Sequence, residues 1–126
     1  MAGTNITRTL TENAFNRALL RATLFSTATV GATLTINTNT VGTVAITAQD
    51  SDFTIALPTG SPKEGQKLMI RIKDDGTGRS ITYNAIFRAI GITLPTTTIA
   101  RKVLYLGCMF NSAETKWDVI AVKQEA

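Results

Sequence analysis

Histidine is missing from the sequence, and cysteine occurs only once. Without histidine the chain lacks the usual general base, the Ser-His and Cys-His nucleophile pairs and the commonest metal ligand, which excludes most hydrolase schemes. The single cysteine, Cys108, cannot form an internal disulfide, in agreement with folding in a reducing compartment. We therefore expect a protein that is not an enzyme and that uses no cofactor.

Long apolar runs and a leader segment are also missing. The longest stretch without charge, residues 22–49, is dense in Thr, Asn and Gly, so it is not the apolar run of about 18 residues that spans a bilayer. Residues 1–8 contain no apolar core before a small-residue cleavage site, so no secretory signal is predicted. The sequence predicts synthesis in a cytosol and no contact with a membrane.

Charge is scarce and mildly basic, with 17% charged residues and a net charge of +4 over 126 residues. The cations are spread along the chain without a dense basic block, and few aromatic residues lie between them to stack on bases. This distribution argues against nucleic acid as a partner. The length corresponds to one domain, large enough to bury a core without disulfides or metals.

Threonine is abundant, at roughly one residue in six, and its β-branched side chain favours strands over helices. Apolar and polar residues alternate with period two in several short segments, most clearly in residues 67–73, whose outer face is predicted to be cationic. Residues 37–40 and 74–78 are typical of turns between such strands, and each predicts an antiparallel pairing. The pattern predicts an all-β fold: a single β-sandwich or jelly-roll-like domain of about seven to eight antiparallel strands over residues 27–126.

The N-terminal residues 1–26 have a different pattern, which predicts an arm with an amphipathic helix. Thr9 and Glu12 have the spacing of a capping box, and apolar residues then recur at three- and four-residue steps, so a helix is expected over residues 10–24. The apolar stripe consists of Leu10, Ala14, Phe15, Ala18, Leu19 and Ala22, with Arg17 and Arg21 on another face. Two interpretations remain open: the stripe packs on the sheet of its own domain, or it docks on a neighbouring subunit.

Several residues could carry chemistry, and each has a simpler structural interpretation. Cys108 lies in an apolar strand, where burial makes a thiol inert. Asp74 and Asp75 before Gly76 resemble the start of a calcium loop but lack its later ligands, so a turn is favoured. Neither acidic pair, 50 and 52 or 74 and 75, has the partners that a catalytic site needs, and no metal site is predicted.

Trp117 and Tyr83 are the aromatic residues that could stack on a sugar ring. A lone Trp at the start of a strand is more often a core or corner residue, so the core interpretation is favoured over glycan binding. Gly76 and Gly78 do not have the spacing of a phosphate-binding loop.

Residues 53–122 resemble a β-module found in phage tail-fibre and other virion proteins. The resemblance is carried by LPTGSP at 57–62, GQKLMIRIKDDGT at 65–77, RSITY at 79–83, LPTTT at 94–98, KVLYLG at 102–107 and KWDVIA at 116–121. It implies a structural protein of a bacteriophage virion. A short chain with a helical arm and one β-domain resembles a capsid decoration (cement) protein more than a long fibre, and such proteins form homotrimers or homodimers on the major capsid protein.

The sequence and this resemblance together predict a cement protein located in the virion and made in the bacterial cytoplasm. The expected partner-binding residues are Leu10, Phe15, Arg17, Leu19 and Arg21, which would contact the shell. The alternative is a tail fibre, head fibre or baseplate component that binds a host receptor or glycan through residues 49–52 or 111–115.

Overall fold

The computed structural model describes residues 26–28 and 31–126, and these residues form nine β-strands in two sheets. The strands are β1 (Ser26–Ala28), β2 (Thr33–Leu34), β3 (Thr43–Gln49), β4 (Phe53–Ile55), β5 (Lys67–Asp74), β6 (Ile81–Tyr83), β7 (Phe87–Ala89), β8 (Leu104–Asn111) and β9 (Lys116–Gln124). The larger sheet has six strands in the order β1-β3-β5-β8-β9-β7, and the smaller has three in the order β2-β4-β6.

The first six strands wind as a coil between the two sheets. Odd-numbered strands enter the six-stranded sheet and even-numbered strands enter the three-stranded sheet. Each of the first four strands pairs in parallel with the strand two places further along the chain, so β1, β3 and β5 are parallel neighbours and so are β2, β4 and β6. Stacked parallel turns of this kind are the construction principle of solenoid proteins.

The last strands extend the six-stranded sheet beyond β5, in the order β8, β9 and β7. β8 pairs antiparallel with both β5 and β9, and β7 lies parallel to β9 at the far edge. The β8–β9 register shifts between Gly107 and Cys108, because Gly107 pairs with Ala121 while Cys108 pairs with Val119. Ile120 is therefore the extra residue of a β-bulge.

The hydrophobic core lies between the two sheets. Period-two alternation turns Leu68, Ile70 and Ile72 of β5 inward, and all three are buried. Trp117 is 1% exposed, and its ring lies 5.1 Å from that of Phe110 on the paired strand. Residues from the three-stranded sheet belong to the same cluster, including Leu34, Phe53, Ile55 and Ile81.

The predicted all-β fold with two layers is confirmed for the described residues, but the predicted antiparallel, jelly-roll-like connectivity is wrong. Five strand pairs are parallel and two are antiparallel. Residues 37–40 and 74–78 do form turns, but each lies where the chain passes from one sheet to the other rather than between paired strands. Alternation and turn residues are the same in both arrangements, so the local sequence does not distinguish them.

The predicted helix over residues 10–24 lies outside the described residues. The division into an arm of residues 1–26 and a β-domain of residues 27–126 stays a prediction, although β1 already begins at Ser26.

Candidate functional site

The outer face of the six-stranded sheet carries both exposed cations and exposed apolar side chains. On β5 the side chains of Lys67, Met69 and Lys73 are exposed, as the alternation predicts, and Arg71 is half-buried. The odd-numbered residues of β8 lie on the same face, and among them Tyr105 is 39% exposed. This face is therefore both cationic and partly apolar.

A groove of about 760 Å³ lies on this face and is lined in part by residues of β3, β5, β8 and β9. Its middle follows one register row, in which Thr43 pairs with Met69, Met69 with Gly107 and Gly107 with Ala121. Met69 is 38% exposed and the bulge residue Ile120 is 50% exposed, so the walls are apolar and open to solvent. Lys63 and Lys67 lie at the groove.

Gly107 forms the floor of the groove because it has no side chain. A Cβ atom at this position would lie 3.4 Å from the Cβ of Ala121 and 3.7 Å from the Cε of Met69. These are ordinary van der Waals contacts, so a larger side chain at position 107 would project into the groove and fill part of it.

The lysines on this face are not neutralised by the described part of the chain. Lys67, Lys73 and Lys123 form no ion pair with any described carboxylate. The acidic residue on the face, Asp118, is held by Arg88 through two hydrogen bonds of 2.8 and 3.1 Å. These bonds hold the pKa of Asp118 below its ordinary value.

Arg88 is shared between two carboxylates. It also donates to Glu114 in the β8–β9 turn, and the hydrogen bonds to Asp118 and Glu114 raise the pKa of its guanidinium. The ion pairs join the edge strand β7 to β9 and therefore have a structural role.

The outer face of the three-stranded sheet has a different character. Thr33, Thr54 and Thr82 lie opposite one another in register across β2, β4 and β6. Thr33 and Thr82 are exposed and Thr54 is half-buried, so this face presents hydroxyl groups and no charge in the row.

Asp74 is the most deeply buried carboxylate among the described residues, at the end of β5. It accepts hydrogen bonds from the Thr98 hydroxyl at 2.7 Å, from the Arg101 amide at 2.8 Å and from the Gly76 amide at 3.0 Å. Burial by itself raises the pKa of Asp74, but these hydrogen bonds outweigh it and hold the pKa below its ordinary value. Its position and partners indicate that Asp74 ties the turn after β5 to the loop before β8.

Three other carboxylates are also bound to neighbouring groups. Asp75 pairs with Arg79 at 2.9 Å, and this bond lowers the pKa of Asp75. Glu64 accepts from the hydroxyl and the amide of Ser112, which lowers its pKa. Asp52 accepts from the Ser80 amide at 2.8 Å. The contacts of Glu64 and Asp52 join separate loops, whereas the Asp75–Arg79 pair lies within the connection between β5 and β6.

The residues that could react or stack on a ligand are mostly inside the core. Burial raises the pKa of the Cys108 thiol to about 12, so the thiol stays protonated and inert near neutral pH. Trp117 is buried, and the Tyr83 hydroxyl donates to the Pro95 carbonyl at 2.7 Å. Burial also raises the pKa of Tyr83. The core interpretation of Trp117 is confirmed, and Tyr83 is half-buried against the same core.

Two further searches of residues 26–28 and 31–126 gave no site. No group of three or more Cys, Asp or Glu side chains is arranged to hold a metal ion there. No helix in that part of the chain has the length and apolar character needed to cross a membrane.

The residues predicted to bind a partner, Leu10, Phe15, Arg17, Leu19 and Arg21, all lie outside the described residues. The cationic strand face was predicted from the alternation in residues 67–73 and is confirmed. The groove was missed because it depends on Gly107 and on the bulge at Ile120, which are brought beside Met69 by pairing between distant segments.

Comparison of the chain with protein-family models, with curated proteins and with solved structures finds no match. Its function therefore has to be argued from the geometry and chemistry of its own surfaces.

Proposed function

We propose that this protein is a structural subunit of a bacteriophage virion, of the capsid decoration (cement) type. It contacts neighbouring subunits through the outer face of its six-stranded sheet. The observation that carries the proposal is the composition of this face, on which exposed Met69, Tyr105 and Ile120 accompany lysines that form no ion pair with a described carboxylate.

Such a face fits a protein surface that is partly apolar and acidic. Apolar area removed from water contributes about 25 cal/mol per Å², and opposite charge on the partner raises the association rate and selects the orientation. Many weak contacts repeated over a shell add up to strong attachment. The expected partners are further copies of this chain, as a homotrimer or homodimer, and the major capsid protein.

The chemistry of the described residues also favours contact over turnover. Asp74, Asp75 and Asp118 each bind a neighbouring segment, and the Cys108 thiol is buried. Because these groups stabilise the fold, they are not available to bind a ligand. The exposed side chains on the outer face of the six-stranded sheet are available to a partner.

The first test is the copy number of the protein in phage particles that encode it, measured by quantitative mass spectrometry of purified virions. A cement protein is expected at a level comparable to that of the major capsid protein. A few copies at the tail, with adsorption blocked by antibody, would instead indicate the receptor-binding alternative. Absence from the particle would refute both.

The second test reverses charge on the proposed face. The double variant Lys73→Glu and Lys123→Glu is expected to lose binding to particles that lack the protein. The control variant Thr82→Glu adds a negative charge on the exposed face of the other sheet, and it should bind like the wild type. Equal binding by both variants would contradict the assignment of this face. Binding of the wild type to duplex DNA in a gel-shift assay would point to nucleic acid instead.

A further inference from the structure

We propose that the groove contains a socket, centred on Gly107, that receives one large apolar side chain from an extended, acidic segment of the partner subunit. The socket rests on the proposed function and makes it more specific, because it names the part of the partner that binds and the position that receives it. It is carried by the strand register around Gly107 and by the charges at two corners of that register.

Gly107 lies at the bottom of a hollow on the outer face of the sheet. It is the outward-facing residue of β8 between Tyr105 and Met109, and it pairs with Met69 on one side and with Ala121 on the other. Gly107 is buried although it belongs to the solvent side of the sheet, whereas Met69, Tyr105 and Ala121 are exposed. The neighbouring side chains therefore rise around a position that has no side chain of its own.

The walls of the hollow are apolar and adaptable. Met69 and Met109 both line the groove, and unbranched thioether side chains adjust to the shape of what they contact. Ile120, the bulge residue, lies at the groove as well. Pockets of this kind at the centre of a protein contact take a single aromatic or aliphatic side chain, which then contributes much of the binding energy.

The openness of the groove favours a protein segment over a small molecule. Sites for small molecules enclose most of the surface of the ligand. Here Met69 is 38% exposed and Ile120 is 50% exposed. Such an open site suits a side chain that is held in place by a larger body, and the partner covers these apolar groups when it binds.

Two lysines lie at opposite corners of the hollow. Lys67 pairs with Met109, and Lys123 pairs with Tyr105, so each lysine is a diagonal neighbour of Gly107 across one strand pair. Diagonal neighbours in an antiparallel pair are about 7–8 Å apart. Neither lysine forms an ion pair with a described carboxylate.

The described carboxylates on this face are bound to other groups. Asp118 is held by Arg88, and Glu125 accepts a hydrogen bond of 2.8 Å from the Val103 amide. The described residues that line the groove include Lys63 and Lys67 but no Asp or Glu. The negative charge that complements the two corners therefore has to come from the partner.

The positions of the two lysines specify the spacing of the acidic groups. In an extended segment, residues two apart lie on the same side and are separated by about 6.8 Å. This distance is close to the diagonal from Gly107 to either lysine. A segment with an aromatic residue over Gly107 and an acidic residue two positions before and two positions after it can thus reach Lys67 and Lys123 together.

A peptide titration of the full chain tests the socket. The probe is the capped peptide Gly-Asp-Thr-Phe-Thr-Asp-Gly, and binding is followed by the backbone amide NMR signals of Met69, Gly107 and Ala121. A matched peptide with Ala in place of Phe should bind more weakly by about tenfold or more, because the anchor is missing.

Substitution of the glycine is the corresponding change in the protein. A Cβ atom at position 107 meets only ordinary van der Waals contacts, so Gly107→Leu should fold and fill the socket. It should weaken binding of the Phe peptide by about tenfold or more. Thr82→Leu, which adds the same side chain to the exposed face of the other sheet, is the control and should bind like the wild type. Circular dichroism and thermal unfolding check that both variants are folded.

A charge exchange tests the two corners without changing the floor of the socket. The double variant Lys67→Glu and Lys123→Glu should bind the acidic peptide more weakly than the wild type does. It should prefer a peptide with Lys in place of both Asp residues. A purely structural role of the two lysines does not reverse this preference, so an unreversed preference would overturn the assignment of the corners.

Three other results would overturn the socket itself. They are equal binding of the Phe and Ala peptides, equal binding of the Phe peptide by the wild type and Gly107→Leu, and displacement of the peptide by octanoate at a similar concentration. The last result would assign the groove to a small amphiphile.

Binding to particles that lack the protein separates failure of the socket from failure of the proposed function. If Gly107→Leu binds such particles like the wild type while the variant with Lys73→Glu and Lys123→Glu does not, the socket is wrong and the proposed face stands. If the protein is absent from virions but binds the Phe peptide through Gly107, the virion role fails and the socket stands.

Discussion

The two faces of the six-stranded sheet use the same strands for different purposes. On β5 the inward residues Leu68, Ile70 and Ile72 are at most 1% exposed, whereas Lys67, Met69 and Lys73 between them face solvent. On β8 the contrast is repeated by buried Leu106 and exposed Tyr105. The inner face therefore supplies stability, whereas the outer face is the surface that we propose for contact, so substitutions can change the two properties separately.

The largest expected effect is a difference in the free energy of unfolding between substitutions at two neighbouring residues of β5 that lie on opposite faces of the sheet. Ile72→Ala removes a completely buried side chain between the sheets and should lower the free energy of unfolding by about 2–5 kcal/mol. Lys73→Ala, its neighbour on the outer face, should stay within about 0.5 kcal/mol of the wild type. Urea unfolding followed by circular dichroism measures both, and similar losses would contradict the division between the faces.

A smaller loss of stability is expected on substitution of Asp74, which is buried at the end of β5. Asp74→Asn replaces an ionised acceptor of three hydrogen bonds by an amide and should cost about 1–3 kcal/mol at neutral pH. Asp50→Asn, at an exposed carboxylate, is the control and should have little effect.

The pH dependence of the Asp74 variant follows from the direction of its pKa shift. The folded state lowers the pKa of Asp74, so its carboxylate stabilises the fold fully above the ordinary aspartate pKa of about 4, and this contribution is lost as the pH falls through the lowered pKa. The difference in unfolding free energy between wild type and Asp74→Asn should therefore be largest near neutral pH and shrink in acid. A difference that is independent of pH would show that the charge of Asp74 contributes nothing.

The smallest effect is expected on the outer face itself. Arg88→Met removes an ion pair to the exposed Glu114 and a part-buried ion pair to Asp118, so the loss of stability should be slight and should shrink further in high salt. Thermal unfolding at low and high salt measures it. A large, salt-independent loss would mean that Arg88 acts through packing.

The strand faces could be predicted from the sequence because alternation is a local property. Leu68, Ile70 and Ile72 were predicted to share one face, and the chain buries all three. The turn at residues 111–115 was also predictable, because these residues separate an apolar segment from an alternating one, and β8 and β9 pair across it.

Strand pairing could not be predicted, because it depends on contacts between distant segments. Residues 33–34 and 43–49 have the pattern of a hairpin, yet β2 pairs with β4 and β3 pairs with β5. The groove was hidden for the same reason: Met69 and Gly107 are far apart in sequence and become neighbours only when β5 pairs with β8.

β8 lies in the middle of the six-stranded sheet, although it is the eighth of the nine described strands along the chain. Until β8 is synthesised, β5 has an unpaired edge on that side, and such edges template pairing with other chains. The coil of β1 to β6 therefore gains its remaining partners only after β8 and β9 have been synthesised, through contacts of large sequence separation that form slowly. The β8–β9 hairpin thus completes the six-stranded sheet, and a chain truncated before β8 is expected to be prone to aggregate.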